Sequence, residues 1–211
     1  MKKKVLSLAL VVALIAIVVS GSLAYFTADD KVTNSFTIGS VKVEVVEDFE
    51  EPENMVPVVT VSESDPNYIN KDARAKNTGN NAAYVQMYVA IPKAMDDVGA
   101  FVVVDTDNGD WSARTLAGTA TFGTDTYNVY VYRYMEKLEA GAESSDVITA
   151  AYLAPELDYR DGKFVMNGVT IEDYIPGTSI DIYVAAQAIQ ADGFDGYTSA
   201  LDTFTTHPWA N

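Results

Sequence analysis

The side chains able to do chemistry are few and scattered. The chain has one histidine, His207, and no cysteine. A catalytic zinc takes protein ligands that are mostly histidine and keeps one position open for water. His207 stands beside Pro208, no H-E-x-x-H occurs, and two or three carboxylates would have to complete a set around this one imidazole. The bland reading of His207 is a surface residue of the terminal tail. Asp105-Thr106-Asp107-Asn108-Gly109-Asp110 opens like a calcium loop. An EF-hand needs glycine at its sixth position and glutamate at its twelfth; Asp110 and Leu116 stand there. Asn108-Gly109 instead predicts a hairpin turn of the I′ type between strands at 101–105 and 111–115. Asp192-Gly193-Phe194-Asp195-Gly196 also reads as a turn. No G-x-S-x-G elbow and no Gly-rich phosphate loop is present. Tyr127, Tyr130, Tyr132 and Tyr134 have the spacing to stack on sugar rings, or to pack one face on a core and the other on a neighbour. The sequence calls for no cofactor, with calcium and zinc left open.

These residues belong to a chain with an export signal. Lys2, Lys3 and Lys4 precede an apolar run at residues 5–19, broken only by Ser7 and ended by Ser20, Gly21 and Ser22. Ser22-Leu23-Ala24 is a small-x-small cleavage site, so residues 1–24 are expected to be a signal peptide and Tyr25 the first mature residue. An uncleaved anchor is the alternative, since the run approaches the roughly 20 residues of a spanning helix. Small residues at the cleavage positions, with no basic cluster after them, favour cleavage. Signal peptidase is then a partner during export, and the membrane is met only through the signal peptide before cleavage.

The chain has 211 residues, 48% of them hydrophobic, enough for one domain with a single core. An exported chain without cysteine has no disulfide framework. Loss of three signal lysines from 14 basic residues leaves 11 against 30 acidic ones, a balance of −19. That excludes nucleic acid and anionic lipid as natural partners. It also makes self-association work against repulsion.

Period-two alternation recurs along the chain. Val41, Val43 and Val45 oppose Lys42 and Glu44 in a first strand at 36–46, followed by an acidic loop at 48–54. Residues 55–61 read as a short strand placed at an edge by Pro57. Further strands are expected at 68–76, 84–91, 101–105, 111–115, 120–122, 127–135, 147–153 and 179–190. Turns are expected at 77–81, Asp161-Gly162 and Asn167-Gly168, and single helical turns at 92–98 and 197–204. About nine or ten short strands with few helices indicate an all-β, antiparallel sandwich. The domain limits are residues 1–24 for the signal, 25–46 for the N-terminal segment with its first strand, and 47–211 for the rest of one domain.

Three stretches resemble one family. Ala24, Tyr25-Phe26, Asn34, Phe36 and Gly39 are similar to the export boundary of the TasA/camelysin family of secreted Gram-positive proteins. Asn77-Thr78-Gly79 followed by Ala83-Tyr84-Val85 resembles its central turn and strand; Gln86 stands where the family often carries arginine. Ala186, Ala188, Ile189, Gln190, Ala191, Asp192, Gly193 and Phe194 resemble its closing strand. The resemblance implies a jelly roll, processing by a dedicated endoplasmic-reticulum-type signal peptidase, and a place in extracellular matrix fibres. The camelysin branch implies a metallopeptidase as an alternative, and the tyrosines a surface glycan-binding adhesin. The leading expectation is a non-enzymatic, secreted structural subunit of a matrix or cell-surface fibre, a homo-polymer with a possible accessory anchoring protein. Residues 25–39 are the candidate donor strand, with Phe26, Val32, Phe36 and Ile38 as pocket-filling side chains.

Overall fold

Alternating β-branched and aromatic residues fit a pleated, half-buried surface, and strands account for nearly all the regular structure. A computed structural model describes residues 41–49, 52, 55–172, 174 and 179–210. In chain order the elements are β1 (Val43–Phe49), β2 (Ile69–Asn77), β3 (Ala83–Pro92), α1 (Lys93–Asp96), β4 (Phe101–Asp105), β5 (Thr115–Phe122) and β6 (Asp125–Arg133). β7 (Ile148–Leu153), β8 (Leu157–Arg160), β9 (Lys163–Met166), β10 (Val169–Ile171), β11 (Tyr183–Gln190) and α2 (Tyr197–Leu201) follow. The fold is all-β and its strands pair antiparallel. One four-stranded sheet has the order β1-β2-β7-β4 and a second β11-β3-β6-β5; β10-β9-β8 form a small meander.

The two larger sheets share one core. Ala73 and Ala75 of β2 and Ile148, Ala151 and Leu153 of β7 meet Val85, Met87, Val89 and Ile91 of β3 and Tyr132 of β6. β3 is buried along its whole length. Its second face is covered as well. Tyr84 packs with Ala200 and Leu201 of α2, and Tyr88 and Ala90 pack with Val129, Phe122, Tyr183 and Trp209. The C-terminal residues thus close the outer face of the β3 sheet. The described residues belong to one unit, Gly39–Asn211.

Several expectations are corrected. β1 continues to Phe49, so the acidic loop begins later than Asp48. Residues 55–61 make one parallel bridge, Pro57 to Leu153, instead of a strand. Asp65 is the reason: its carboxylate accepts the N–H groups of Val59 at 2.8 Å and Thr60 at 3.1 Å and draws the chain into a loop. A turn forms at Asn108-Gly109, with Asn108 Oδ1 accepting the N–H of Asp110, but it is not of the I′ type, because Asn108 is not at positive φ. Its flanks do not pair, because β4 bonds to β7 and β5 to β6, in different sheets. Trp111 meets Tyr134 of the second sheet in a single bridge. The last long strand starts at Tyr183, four residues after Ser179.

Candidate functional site: the outer edge of β11

A two-sheet sandwich has open edges, and each unpaired edge is a row of N–H and C=O groups ready to accept another strand. Among the described residues the edge strands of the two larger sheets are β1, β4, β5 and β11. Three of them carry a guard of the usual kinds. β1 holds Glu44, Glu47 and Asp48. β4 ends on Asp105 with a register shift after Val104. β5 is bulged between Leu116 and Gly118, and Gly118 lies at φ +142°. β11 reads YVAAQAIQ, with no charge, no proline and no glycine. It pairs with β3 over eight consecutive residues without a shift.

The hydrogen-bond phase of this edge follows from its neighbours. The N–H of Ala191 donates to Ala82 C=O at 2.8 Å, and that of Tyr134 to Val85 C=O at 3.0 Å. Alternation then directs the even residues of β3 to β11 and the odd ones to β6. On β11, Tyr183, Ala185, Gln187 and Ile189 bond inward to β3. Val184, Ala186, Ala188 and Gln190 point their main-chain groups away from the sheet. Their side chains also have a pattern. Val184, Ala186 and Ala188 pack on the shared core while half-buried, as do Val43 and Val45 of β1. β1 and β11 touch across the sandwich. An apolar seam floored by two alanines therefore runs beside the outward main-chain groups.

The opposite side of β11 is fixed by a polar network. Gln86 Nε2 donates to Tyr88 Oη at 2.7 Å and to Gln187 Oε1 at 3.1 Å, and Tyr88 Oη donates to Gln187 Oε1 at 2.8 Å. Burial pushes the Tyr88 phenol up to about 12, so it stays a donor at any physiological pH. Gln86, at the position where arginine was the comparison, is a buried clamp between β3 and β11.

The residues of the three resembling stretches that lie in the described structure sit in turns and in the core. Asn77 is fully buried; its Nδ2 donates to the carbonyls of Asn81 at 2.8 Å and Leu138 at 2.9 Å, and its Oδ1 accepts the N–H of Gly79 at 2.9 Å. It plugs the turn between β2 and β3 with every strong polar position used. Tyr84 and Val85 are buried on opposite faces of β3. Ile189 packs near α2, and Gln190 Nε2 reaches the Asp192 carbonyl at 3.4 Å. Asp192 and Gly193 turn the chain, Gly193 at φ +94°. Ser22, Ala24, Tyr25, Phe26, Val32, Asn34, Phe36, Ile38 and Gly39 lie outside the described residues.

Other candidates are rearranged by the fold. His207 is 8% exposed, not a surface tail residue. It rests over Gly118, where an added Cβ would meet its Nε2 at 3.4 Å, and beside Tyr88 and Trp209. Aromatic packing of the terminal residues draws it in. Two of the four tyrosines are buried, Tyr127 at 3% and Tyr132 at 1% exposure, while Tyr130 and Tyr134 are half-buried. Tyr132 Oη donates to Asp105 at 2.7 Å, and burial raises its pKa. Tyr130 Oη donates to Asp96 at 2.7 Å under the Arg114 guanidinium. Among the described residues no three histidine or carboxylate side chains stand together as a metal set.

The outer face of the β1-β2 pair is a charge lattice. Arg74 reaches Asp48 at 3.0 Å, Glu143 at 3.0 Å and Asp146 at 3.2 Å. Lys76 and Arg74 hold the Glu143 carboxyl below its usual range. Asp72 lies opposite Asp48 on the neighbouring strand. Its pKa is raised by burial first, then by Asp146 and Asp48. The β11 edge is free of this lattice, and sequence reasoning missed it. The signal that could have found it was an eight-residue strand segment without a charge, a proline or a glycine.

No known family pattern and no characterised protein matches the chain in sequence. The functional reading therefore rests on the site.

Proposed function

We propose that this chain is a secreted structural subunit of an extracellular matrix or cell-surface fibre of the TasA/camelysin kind. Copies join by β-strand addition: residues 25–39 of one subunit pair along β11 of the next. The observation that carries this reading is the edge itself. β11 is uncharged and unbulged, while the other three edges of the two larger sheets are guarded. Natural sheets seldom leave such an edge unless another strand uses it. Main-chain bonds from Val184, Ala186, Ala188 and Gln190 supply affinity, and the seam beside Ala186 and Ala188 accepts alternate side chains.

The remaining parts of the proposal follow from the export signal. Signal peptidase frees Tyr25 outside the membrane, the sandwich takes a jelly-roll form, and the chain acts without catalysis. An accessory protein anchors the fibre. Phe36 is the main anchor of the donor, because a buried aromatic cut to alanine typically costs about 3–5 kcal/mol.

A chain lacking residues 25–39 provides the test. It is expected to fold, to remain monomeric, and to bind a synthetic 25–39 peptide with one-to-one stoichiometry. The peptide with Phe36→Ala should bind far more weakly. A truncated chain that melts much below the complete one would mean that the segment folds onto its own domain. A truncated chain that still polymerises would reject residues 25–39 as the donor.

A further inference from the structure

The meander carries a chemistry that the fold does not use. Asp161-Gly162 joins β8 to β9, and Asn167-Gly168 joins β9 to β10. φ is +51° at both Asp161 and Asn167 and +83° at both Gly162 and Gly168, so one I′ turn occurs twice. In an Asn-Gly pair the glycine nitrogen can attack the asparagine side-chain amide, since no glycine side chain stands in the way. The five-membered succinimide that forms holds the asparagine ψ at about −120°, the value at the first central residue of a II′ turn. Types I′ and II′ share a positive φ there, and both suit a two-residue hairpin. Rotation of the single peptide unit between Asn167 and Gly168 therefore brings Gly168 N to Asn167 Cγ. The closing pair Met166 and Val169 stays in register.

The surroundings favour the reaction at this turn. Asn167 and Gly168 are both exposed. A Cβ built on Gly168 would meet nothing within 4 Å, which leaves room for water and for a tetrahedral intermediate. Asn108-Gly109 is equally exposed, but Asn108 is not at positive φ and its Oδ1 is held by the N–H of Asp110 at 3.0 Å. Both its main chain and its side chain must leave their places before the ring can close.

We propose that Asn167 is a site of spontaneous succinimide formation, and so of deamidation, in the folded protein. Gly168 N loses its proton to solvent base and bonds to Asn167 Cγ. The Cγ–Nδ2 bond breaks, and ammonia leaves with a proton from water. Water then opens the ring at either carbonyl. Addition at Cγ restores the ordinary linkage as aspartate; addition at the main-chain carbonyl yields isoaspartate. Aspartate fits the turn, since Asp161 holds the same φ in the twin hairpin. Isoaspartate lengthens the main chain by one carbon and displaces the register of β10. Either product adds one negative charge to an acidic chain.

The full chain, kept folded at mildly alkaline pH, is compared with the same chain in denaturant. Peptide mapping reads aspartate and isoaspartate at positions 167 and 108, and hydroxylamine, which cleaves succinimides, reads the ring directly. Asn167 is expected to convert several-fold faster than Asn108 in the fold, with hydroxylamine cutting first after Asn167. In denaturant the two rates should converge. Equal rates in the fold, a faster Asn108, or an Asn167 that reacts faster unfolded than folded would overturn the proposal. Asn167→Asp should melt as the unchanged chain does; a lowered melting temperature would overturn the fit of aspartate.

Discussion

Replacing Ala186 by proline probes the outward edge without touching the inward ladder. Proline removes one N–H and projects its ring where that hydrogen was. At position 186 the N–H points away from β3, a place where edge strands tolerate proline. The folded monomer should lose on the order of 1 kcal/mol or less. The incoming strand loses one donor and leaves a carbonyl unmatched, a cost of about 1–3 kcal/mol. That corresponds to roughly 5- to 150-fold weaker subunit contact, since each 1.4 kcal/mol is tenfold. Ala185→Pro is the matched control. Its N–H belongs to the pair with Tyr88, whose main chain is buried. An orphaned acceptor there costs about 1–3 kcal/mol and lowers the melting temperature by about 2–12 °C for a chain of this size. Thermal unfolding of monomer and the critical concentration for sedimentable polymer are measured on both variants. Ala186→Pro should raise the critical concentration with little change in melting. Normal polymer from Ala186→Pro, alongside a destabilised Ala185→Pro monomer, would refute docking on β11.

Other outcomes follow from named contacts. Asn77→Ala removes the bonds to the Asn81 and Leu138 carbonyls and to the Gly79 N–H, although Leu138 C=O keeps the N–H of Ala83 and Gly79 N–H keeps the carbonyl of Lys42; denaturant unfolding should register a loss of about 1–3 kcal/mol. Gly118→Ala places a Cβ at φ +142° against His207, and a loss of about 1–3 kcal/mol is expected in the same assay. Asp72→Asn removes a like-charge pair opposite Asp48 and should stabilise the monomer by about 0.5 kcal/mol at neutral pH. The Asp72 pKa is raised in the fold, so the wild-type penalty appears as pH rises through the folded value and is absent below the unfolded one. The variant's advantage should therefore vanish in acid; a constant advantage across the pH series would contradict this cause. Polymer yield, read by light scattering, should rise with salt or acid as the acidic surface is screened or protonated, and a fall with salt would indicate contacts between opposite charges.

The parts of the fold legible in the sequence are those decided locally. Asp161-Gly162 and Asn167-Gly168 form I′ turns because two residues suffice to set that geometry. The faces of β6 were readable because Tyr127, Val129 and Val131 differ from Tyr130, Tyr132 and Tyr134 by one step of the pleat. Strand order is decided by distant partners, and there local reading failed. β4 and β5 flank a sound turn signal, yet each finds a longer partner in a different sheet. His207 is drawn in by Tyr88 and Trp209, contacts that no spacing reveals. The uncharged run of β11 was visible from the start. Its meaning was not, because a strand becomes an edge only through what its sheet leaves unpaired.

Electron microscopy of the processed chain tests the central claim most directly. Protein beginning at Tyr25 should form uniform filaments under negative stain at moderate salt, and Ala186→Pro protein prepared alongside it should remain as single particles. Single particles from the unchanged chain at every salt and pH tried, or filaments from both chains alike, would contradict assembly through the β11 edge.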